Sequence, residues 1–420
     1  MTGAMYAAVA GLKTHMSAMN VIGNNISNVN TVGYKAARYT FNEALYTSVR
    51  TGSDGTEQLG GRNPAQIGYG CSVGTIDLDM STKNYNPTGK ALDCMIDGDG
   101  FFIVGNDKEN NGITTQGQLQ GMSLTRLGRF NVDPQGFLVD GDGNLVYGFL
   151  RMTSIDEYVD AYNAGKPAAE QISNADVTEE MLTSPILTPI RMPMCYIGAA
   201  TTTDENGNVT QSTQKVKTTI FWPQVGDADG DEPYIRDGEL TDPTTAQLMG
   251  VENAPDRNTT GWDLTRLQPA SVSIDPTGCI TAITKDEQLI VVGYIAIATV
   301  DNPDGVTHVD GRYYKALGGA GEVHLTTIGG RITHIPGAAT TNDPNDPNAE
   351  TTGLPVGSTR LTIETCGDTQ LVTGGLESSG TDLAQEISNM IMIQRGYQAN
   401  TRIVTVTDSM LEELVNMKRG

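Results

Sequence analysis

Apolar residues recur at spacings of three and four from Met5 through Val9, Leu12, Met16, Met19, Ile22, Ile26 and Val29. That spacing sets one continuous stripe along a helix, and no Pro interrupts it. At the other end, Leu383, Met390, Tyr397, Val404 and Leu411 recur every seven residues, the period of a helix that keeps one seam against a partner. A second stripe runs beside it through Ile403, Val406, Met410, Leu414 and Met417. At 1.5 Å per residue the two helices would be roughly 37 and 55 Å long. A private hairpin of two such helices buries one stripe of each, so the remaining apolar faces call for further helices. The middle of the chain shows none, and other copies of the same chain are the economical source.

Between the ends the pattern changes to short strands and tight turns. Phe101 to Val104 is an apolar run bounded by Gly100 and Gly105, as in a strand buried on both faces. RFNVDPQGFLVDGDGNLVYGFL, from Arg129, reads as three strands joined by turns at Asp133 to Gly136 and at Asp140 to Asn144. VDPQG at 132–136 is echoed by IDPTG at 274–278, each with Pro and Gly placed for a type I turn closed by a left-handed Gly. Both turns therefore belong to one β-domain made from two distant segments.

The predicted fold class is mainly β in the middle with a terminal α-helical pair, multi-domain and discontinuous. Residues 1–32 with 376–420 form the helical assembly domain and 33–70 a linker, with room for a short helix at 42–49. Residues 71–150 with 270–375 form the β-domain, and 151–269, richer in Thr, Asp, Asn and Pro, an inserted outer β-domain. A short helix near 156–165, a hairpin at Asn206-Gly207 and a polar loop at 342–348 are expected inside these bounds.

Composition sharpens the picture. With 49 Gly and only 6% aromatic residues in 420, many tight turns are expected. The net charge of −23 repels a phosphate backbone and argues against nucleic-acid binding. The acid is concentrated in the middle: residues 1–50 carry Lys13, Lys35, Arg38 and Arg50 against Glu43 alone. Near-neutral ends can pack on copies of themselves while an acidic middle keeps the particle soluble. Five scattered cysteines, Cys71, Cys94, Cys195, Cys279 and Cys366, suggest neither a disulfide framework nor a metal knuckle. Neither a Sec-type leader nor a run of eighteen apolar residues is seen, so no membrane insertion is expected.

Candidate chemistry is sparse. DGDGN at 140–144 and DADGDE at 227–232 begin like calcium loops but place Leu145 and Glu232 where the sharp bend needs Gly, and Arg151 and Gly238 where a bidentate Glu belongs. They read as turns. The four histidines, His15, His308, His324 and His334, show no i, i+4 pair, and no hydrolase, metalloprotease or dinucleotide fingerprint occurs. No enzyme activity, cofactor or metal is expected. Gly11, Gly23 and Gly396 weaken helices that Ala would strengthen, as expected where a neighbour approaches closely or the helix bends. Gln394, Thr401 and Asp408 put polar groups at one position of the seven-residue repeat, suited to fixing register. The candidate subunit-interface residues are Val9, Leu12, Met16, Met19, Ile22, Ile26, Leu383, Ile387, Met390, Tyr397, Val404, Leu411 and Leu414.

NVIGNNISNVNTVGYKAARYTF (20–41) and LVTGGLESSGTDLAQEISNMIMIQRGYQANTRIVTVTDSMLEELVNM (371–417) resemble the flagellar rod and hook family. Similarity continues through NPAQIGYGCSVGTID (63–77), IDGDGFFIV (96–104), the 124–149 segment and IAIATVDNPDGVTHVDGRYY (295–314). Met16 and Met19 depart from the usual Ala and Leu, and GTDL at 380 from the usual Asn-Val-Asp-Leu, without breaking either stripe. Length, linker and inserted middle look like a hook subunit more than a shorter rod subunit. The resemblance implies a homopolymer forming a curved, torque-transmitting tube, exported by the flagellar apparatus without a cleaved signal to the outside of the cell. It implies the distal rod, the hook cap and the hook-filament junction proteins as partners. A straight distal-rod subunit is the alternative. A surface protein with a carbohydrate-binding or enzymatic insert is a further one, for which the scattered Phe221, Trp222, Tyr234 and Trp262 offer little.

Overall fold

The unbroken apolar period of the first segment forms α1, Thr2–Ser27, in a computed structural model of the chain. The structure describes residues 2–52, 60–106, 113, 116–153, 271–284, 287–328, 363–365 and 369–417, with shorter stretches between 155 and 267. A short helix α2, Gln116–Gly121, and a long one α3, Leu383–Met417, follow. Asp382 starts α3, its carboxylate accepting the backbone N–H groups of Ala384 at 2.9 Å and Gln385 at 3.2 Å. That satisfies two of the four donors a helix start leaves open.

The chain divides into two units, Met1–Lys83 with Ser378–Gly420, and Asn84–Glu377. In the first, α1 and α3 pair with each other and α1 also packs on a β-ribbon. The ribbon consists of β1 (Ala37–Glu43), β2 (Tyr46–Arg50), β3 (Ala65–Gly68) and β4 (Cys71–Leu78). β1 pairs antiparallel with β4, Tyr39 opposite Ile76 and Phe41 opposite Val73. β2 pairs antiparallel with β3, Tyr46 opposite Gly68. This corrects two expectations. The 42–49 stretch is extended rather than helical, because 65–78 folds back and offers its backbone a ladder, and Tyr46, Thr47 and Val49 suit a strand. Strand 71–78, placed by the sequence in the β-domain, completes this ribbon instead.

The second unit is built on the strand Leu289–Val300, which pairs with Phe101–Gly105, Leu145–Leu150, Cys279–Ile283 and Val323–Thr327. Twelve mostly apolar residues suit a central strand covered on both faces. Phe101, Phe102, Ile103 and Val104 are all buried, as their unbroken apolar run requires. The short strands at Asn131–Val132, Leu138–Val139 and Leu145–Leu150 pair in sequence as antiparallel neighbours. Distant segments close the unit: Gln370–Thr373 pairs with Asp93–Asp97.

Residues expected to belong to an inserted outer domain pack within this unit. Thr188–Pro189 pairs with Leu145–Leu150, and Ile190, Met192, Cys195 and Leu267 join the same apolar core as Phe102 and Ile297. Residues 186–195 are too apolar to leave a core that their strand already borders. The 227–232 motif, the turn at Asn206-Gly207, most of 156–165, Cys366 and 342–348 lie outside the described residues.

The two echoed turns share one geometry. The Gly136 N–H donates to Asp133 O at 3.0 Å and the Gly278 N–H to Asp275 O at 2.8 Å, with φ of 83° and 77°. A side chain there meets the left-handed penalty of about 1–2 kcal/mol. Gly278→Ala is therefore expected to lower the stability of the 84–377 unit by about that amount in denaturant melts, and Thr277→Ala to leave it nearly unchanged. Equal effects of the two would remove the left-handed turn as the reason for the glycine.

Candidate subunit interface

α1 has two unlike faces. Its covered face carries Ala8, Gly11, Thr14, Ala18, Ile22 and Asn25, all buried, spaced by three or four as one side of a helix requires. Except for Ile22 these are small or polar residues, and their size brings the helix axes together. A Cβ on Gly11 would lie 2.6 Å from Asn400 Nδ2, and one on Gly396 would lie 2.7 Å from the His15 ring. Gly23 shows no such neighbour. On the ribbon side, the Thr14 hydroxyl donates to Ala10 O at 2.7 Å and Cys71 O at 3.2 Å.

Asn25 ties this unit together. Its Oδ1 accepts from the Ala37 N–H and the Tyr34 hydroxyl, each at 3.0 Å. Its Nδ2 donates to Ala37 O at 2.8 Å and to Glu386 Oε1 on α3 at 3.1 Å. The Thr381 hydroxyl donates to Asn25 O at 3.1 Å, the Ser379 hydroxyl to Asn28 O at 2.9 Å and the Gly380 N–H to Tyr34 O at 2.8 Å. One carboxamide thus joins the end of α1, the start of β1 and the first turn of α3. Burial, and after it the Glu386 carboxylate, raises the Tyr34 hydroxyl above the usual phenol range. The sequence reading missed this hub, since a lone Asn in a helix looks like a surface residue. The available signal was the small-residue period of Ala8, Gly11, Thr14 and Ala18, running beside the large stripe.

The large stripe faces elsewhere. Val9 and Met16 are exposed, Met16 by 53%, and Leu12, Met19 and Ile26 are half-buried. Only Ile22 of the six α1 candidates is buried. On α3, Leu383, Ile387, Tyr397 and Leu414 are exposed, while Met390, Val404 and Leu411 are half-buried. A strict seven-residue seam drifts by roughly 20° per repeat around a straight helix, so one partner helix does not cover all of it. The second stripe stays in solvent along its whole length, with Val406 58% and Met417 73% exposed. The ribbon adds Phe41, Leu45, Tyr46, Val49, Ile67 and Ile76 to the exposed apolar surface. Such a surface is far beyond what a monomer ordinarily leaves wet.

The motifs read as turns have that geometry where they are described. Asp140 accepts the N–H groups of Asp142 and Asn144, both at 2.9 Å, and the Tyr313 hydroxyl at 2.5 Å. Burial, followed by Asp140 and Asp142, drives the Tyr313 hydroxyl far above the usual phenol range. Among the described residues no helix is long and apolar enough to cross a membrane.

Long terminal helices that close a discontinuous β-rich chain and leave their large apolar faces uncovered define a structural subunit built to assemble. Residues 5–35 match the profile described as flagella basal body rod protein, and 372–417 the one described as flagellar basal body rod FlgEFG protein C-terminal. The flagellar basal-body rod protein FlgG of Bacillus subtilis is 26% identical over all of both chains. The flagellar hook protein FlgE of Borreliella burgdorferi is likewise 26% identical over all of both. A crystal structure of the Helicobacter pylori hook protein FlgE2 overlaps 57% of this chain and 95% of that one, with 13% identity and a TM-score of 0.25. Both terminal segments thus match the flagellar rod and hook family, and rod and hook proteins are similar to the chain over its full length. Both profile matches fall on the helical pair and its hub.

Replacing Asn25 by Leu removes four hydrogen bonds and strands the Ala37 and Glu386 groups that made them. A loss of about 1–3 kcal/mol in the pairing of α1 with α3 is expected, read as faster amide exchange in 2–27 and 383–417. Exchange in the 84–377 unit should not change. An unaltered helix pair would show that Asn25 is not the tie between its ends.

Proposed function

We propose that this chain is the repeating structural subunit of the flagellar hook, polymerising into a curved tube through the outward apolar faces of α1 and α3. The observation that carries this reading is the division of labour on the helices. Small and polar residues pair α1 with α3 inside one chain, while Val9, Met16, Ile387, Tyr397, Val406 and Leu414 remain in solvent. Full burial of a large apolar side chain is worth about 1.5–3 kcal/mol. A handful per subunit is enough to offset an association cost of about 4–15 kcal/mol.

The candidate interface residues divide accordingly. Val9, Met16, Leu383, Ile387, Tyr397 and Leu414 meet neighbouring copies outright. Leu12, Met19, Ile26, Met390, Val404 and Leu411 lie at the edge of the intrachain pair and complete their burial on assembly. Ile22 serves the pair alone. The polymer forms outside the cell, joined at one end to the rod and at the other to cap and junction proteins. The subunit arrives through the flagellar export apparatus. It transmits torque and requires neither a cofactor nor a catalytic step.

The full-length likeness to a Bacillus subtilis protein named as a rod component favours a second reading, a straight distal-rod subunit. Electron microscopy of the purified chain after salting-out separates the two: curved tubes are expected, straight ones would support the rod, and amorphous aggregate would remove both. Val406→Asp and Met410→Asp should leave the melting curve of the monomer within about 0.5 kcal/mol of the parent and abolish tubes. Tubes of normal yield from both variants would exclude this stripe from the polymer contact.

A further inference from the structure

The crossing of α1 and α3 holds a titratable wedge. His15 sits half-buried against Gly396, where a Cβ would come within 2.7 Å of its Cε1 and 2.8 Å of its Nε2. Its other side meets the Phe41 ring of β1, centroids 5.4 Å apart and tilted by 57°. Nδ1 is buried and has no hydrogen-bond partner. Three elements therefore close on one imidazole without an acceptor at its enclosed nitrogen.

The surrounding charges cannot welcome a proton. Lys13 is the only charged residue of α1. On α3 the nearest charge in sequence is Arg395, next to Gly396, while Glu386 and Asp408 lie ten and twelve residues away, about 15 and 18 Å along the helix. β1 carries Arg38 and, two residues beyond Phe41, Glu43, whose carboxylate already accepts the Tyr46 hydroxyl at 3.1 Å. β4 carries Cys71 and Asp77, the latter 3.8 Å from Arg38. The Tyr39 hydroxyl, also on β1, is buried and has no hydrogen-bond partner.

We propose that His15 is a pH-sensitive latch between the two terminal helices: the neutral ring wedges α1 against Gly396 of α3, and its protonation separates them. An imidazolium whose enclosed Nδ1 has lost water gains no acceptor there, and separation restores the water. Burial moves the His15 pKa below its ordinary value, in the same direction. The sign follows from linkage. A base whose pKa is lower when the helices are paired binds its proton mainly when they part. Pairing is therefore at full strength above the free value of about 6.5 and weakens as pH falls through it. The latch acts within one chain and does not depend on the polymer reading.

Amide exchange on the full-length monomer tests it, at pH 7.5 and 5.5 with intrinsic rates corrected. The opening equilibrium of 2–27 and 383–400 is expected to rise on acidification, by at most about tenfold, the limit for uptake of one proton below a free pKa near 6.5. His15→Gln and His15→Phe should abolish that rise. Peptides of Leu145–Leu150 and Leu289–Val300, which belong to the other unit and hold no histidine, serve as the control. No rise in the parent chain, or the same rise in both variants, overturns the proposal. If the variants lose protection at both pH values, the titration of His15 in the parent chain, followed by NMR, decides. A value below 6.5 upholds the latch and a value at or above it overturns it.

Discussion

Everything in the terminal unit depends on how closely α1 can approach α3. Gly11 on α1 makes room for Asn400, and Gly396 on α3 makes room for the His15 ring, each where a Cβ would collide. Dispersion between backbones and short side chains is individually weak, so polar groups finish the joint. Asn25 supplies them, satisfying Ala37 in both directions while reaching Glu386 on α3. A buried amide with all its partners holds one register, where an apolar contact tolerates slippage.

That arrangement has a consequence for the rest of each helix. Because the pair is closed by its small face, the large residues are left over rather than consumed. Met5, Val9 and Met16 on α1, and Ile403, Val406 and Met410 on α3, stay exposed. The β1–β4 ribbon behaves alike: two-stranded ladders bury little, and Leu45, at 85% exposure, is almost fully wet. A surface of this kind is costly in water and useful in a polymer, and it accounts for near-neutral ends on a chain of net charge −23.

The 84–377 unit rests on a different constraint. Its central strand, Leu289–Val300, is hydrogen-bonded on both edges and shares one apolar core with Phe102, Val146 and Ile280 of the strands beside it. Those contacts join residues hundreds of positions apart, so the unit cannot close until both halves of the chain are present. It also explains why 188–195 belongs to this core, although its neighbours in sequence are rich in Thr and Asp.

Much of this was legible in the residues. Periods of three and four marked α1, a seven-residue repeat marked α3, and the DPxG residues marked two tight turns. The reason is local: helix faces and tight turns are specified by spacing and by the few residues that tolerate a left-handed backbone. The sequence also showed that two apolar faces exceeded what one hairpin could bury. It did not show which face the hairpin would use. That choice depended on distance between axes, and only the tertiary structure revealed that Gly11 meets Asn400, that Gly396 meets His15, and that Asn25 spans three elements. The ribbon from 37 to 78 was missed for a related reason. Its strands are short and mostly exposed, and they exist because a partner strand returns from about thirty residues away, a long-range pairing that no local pattern records.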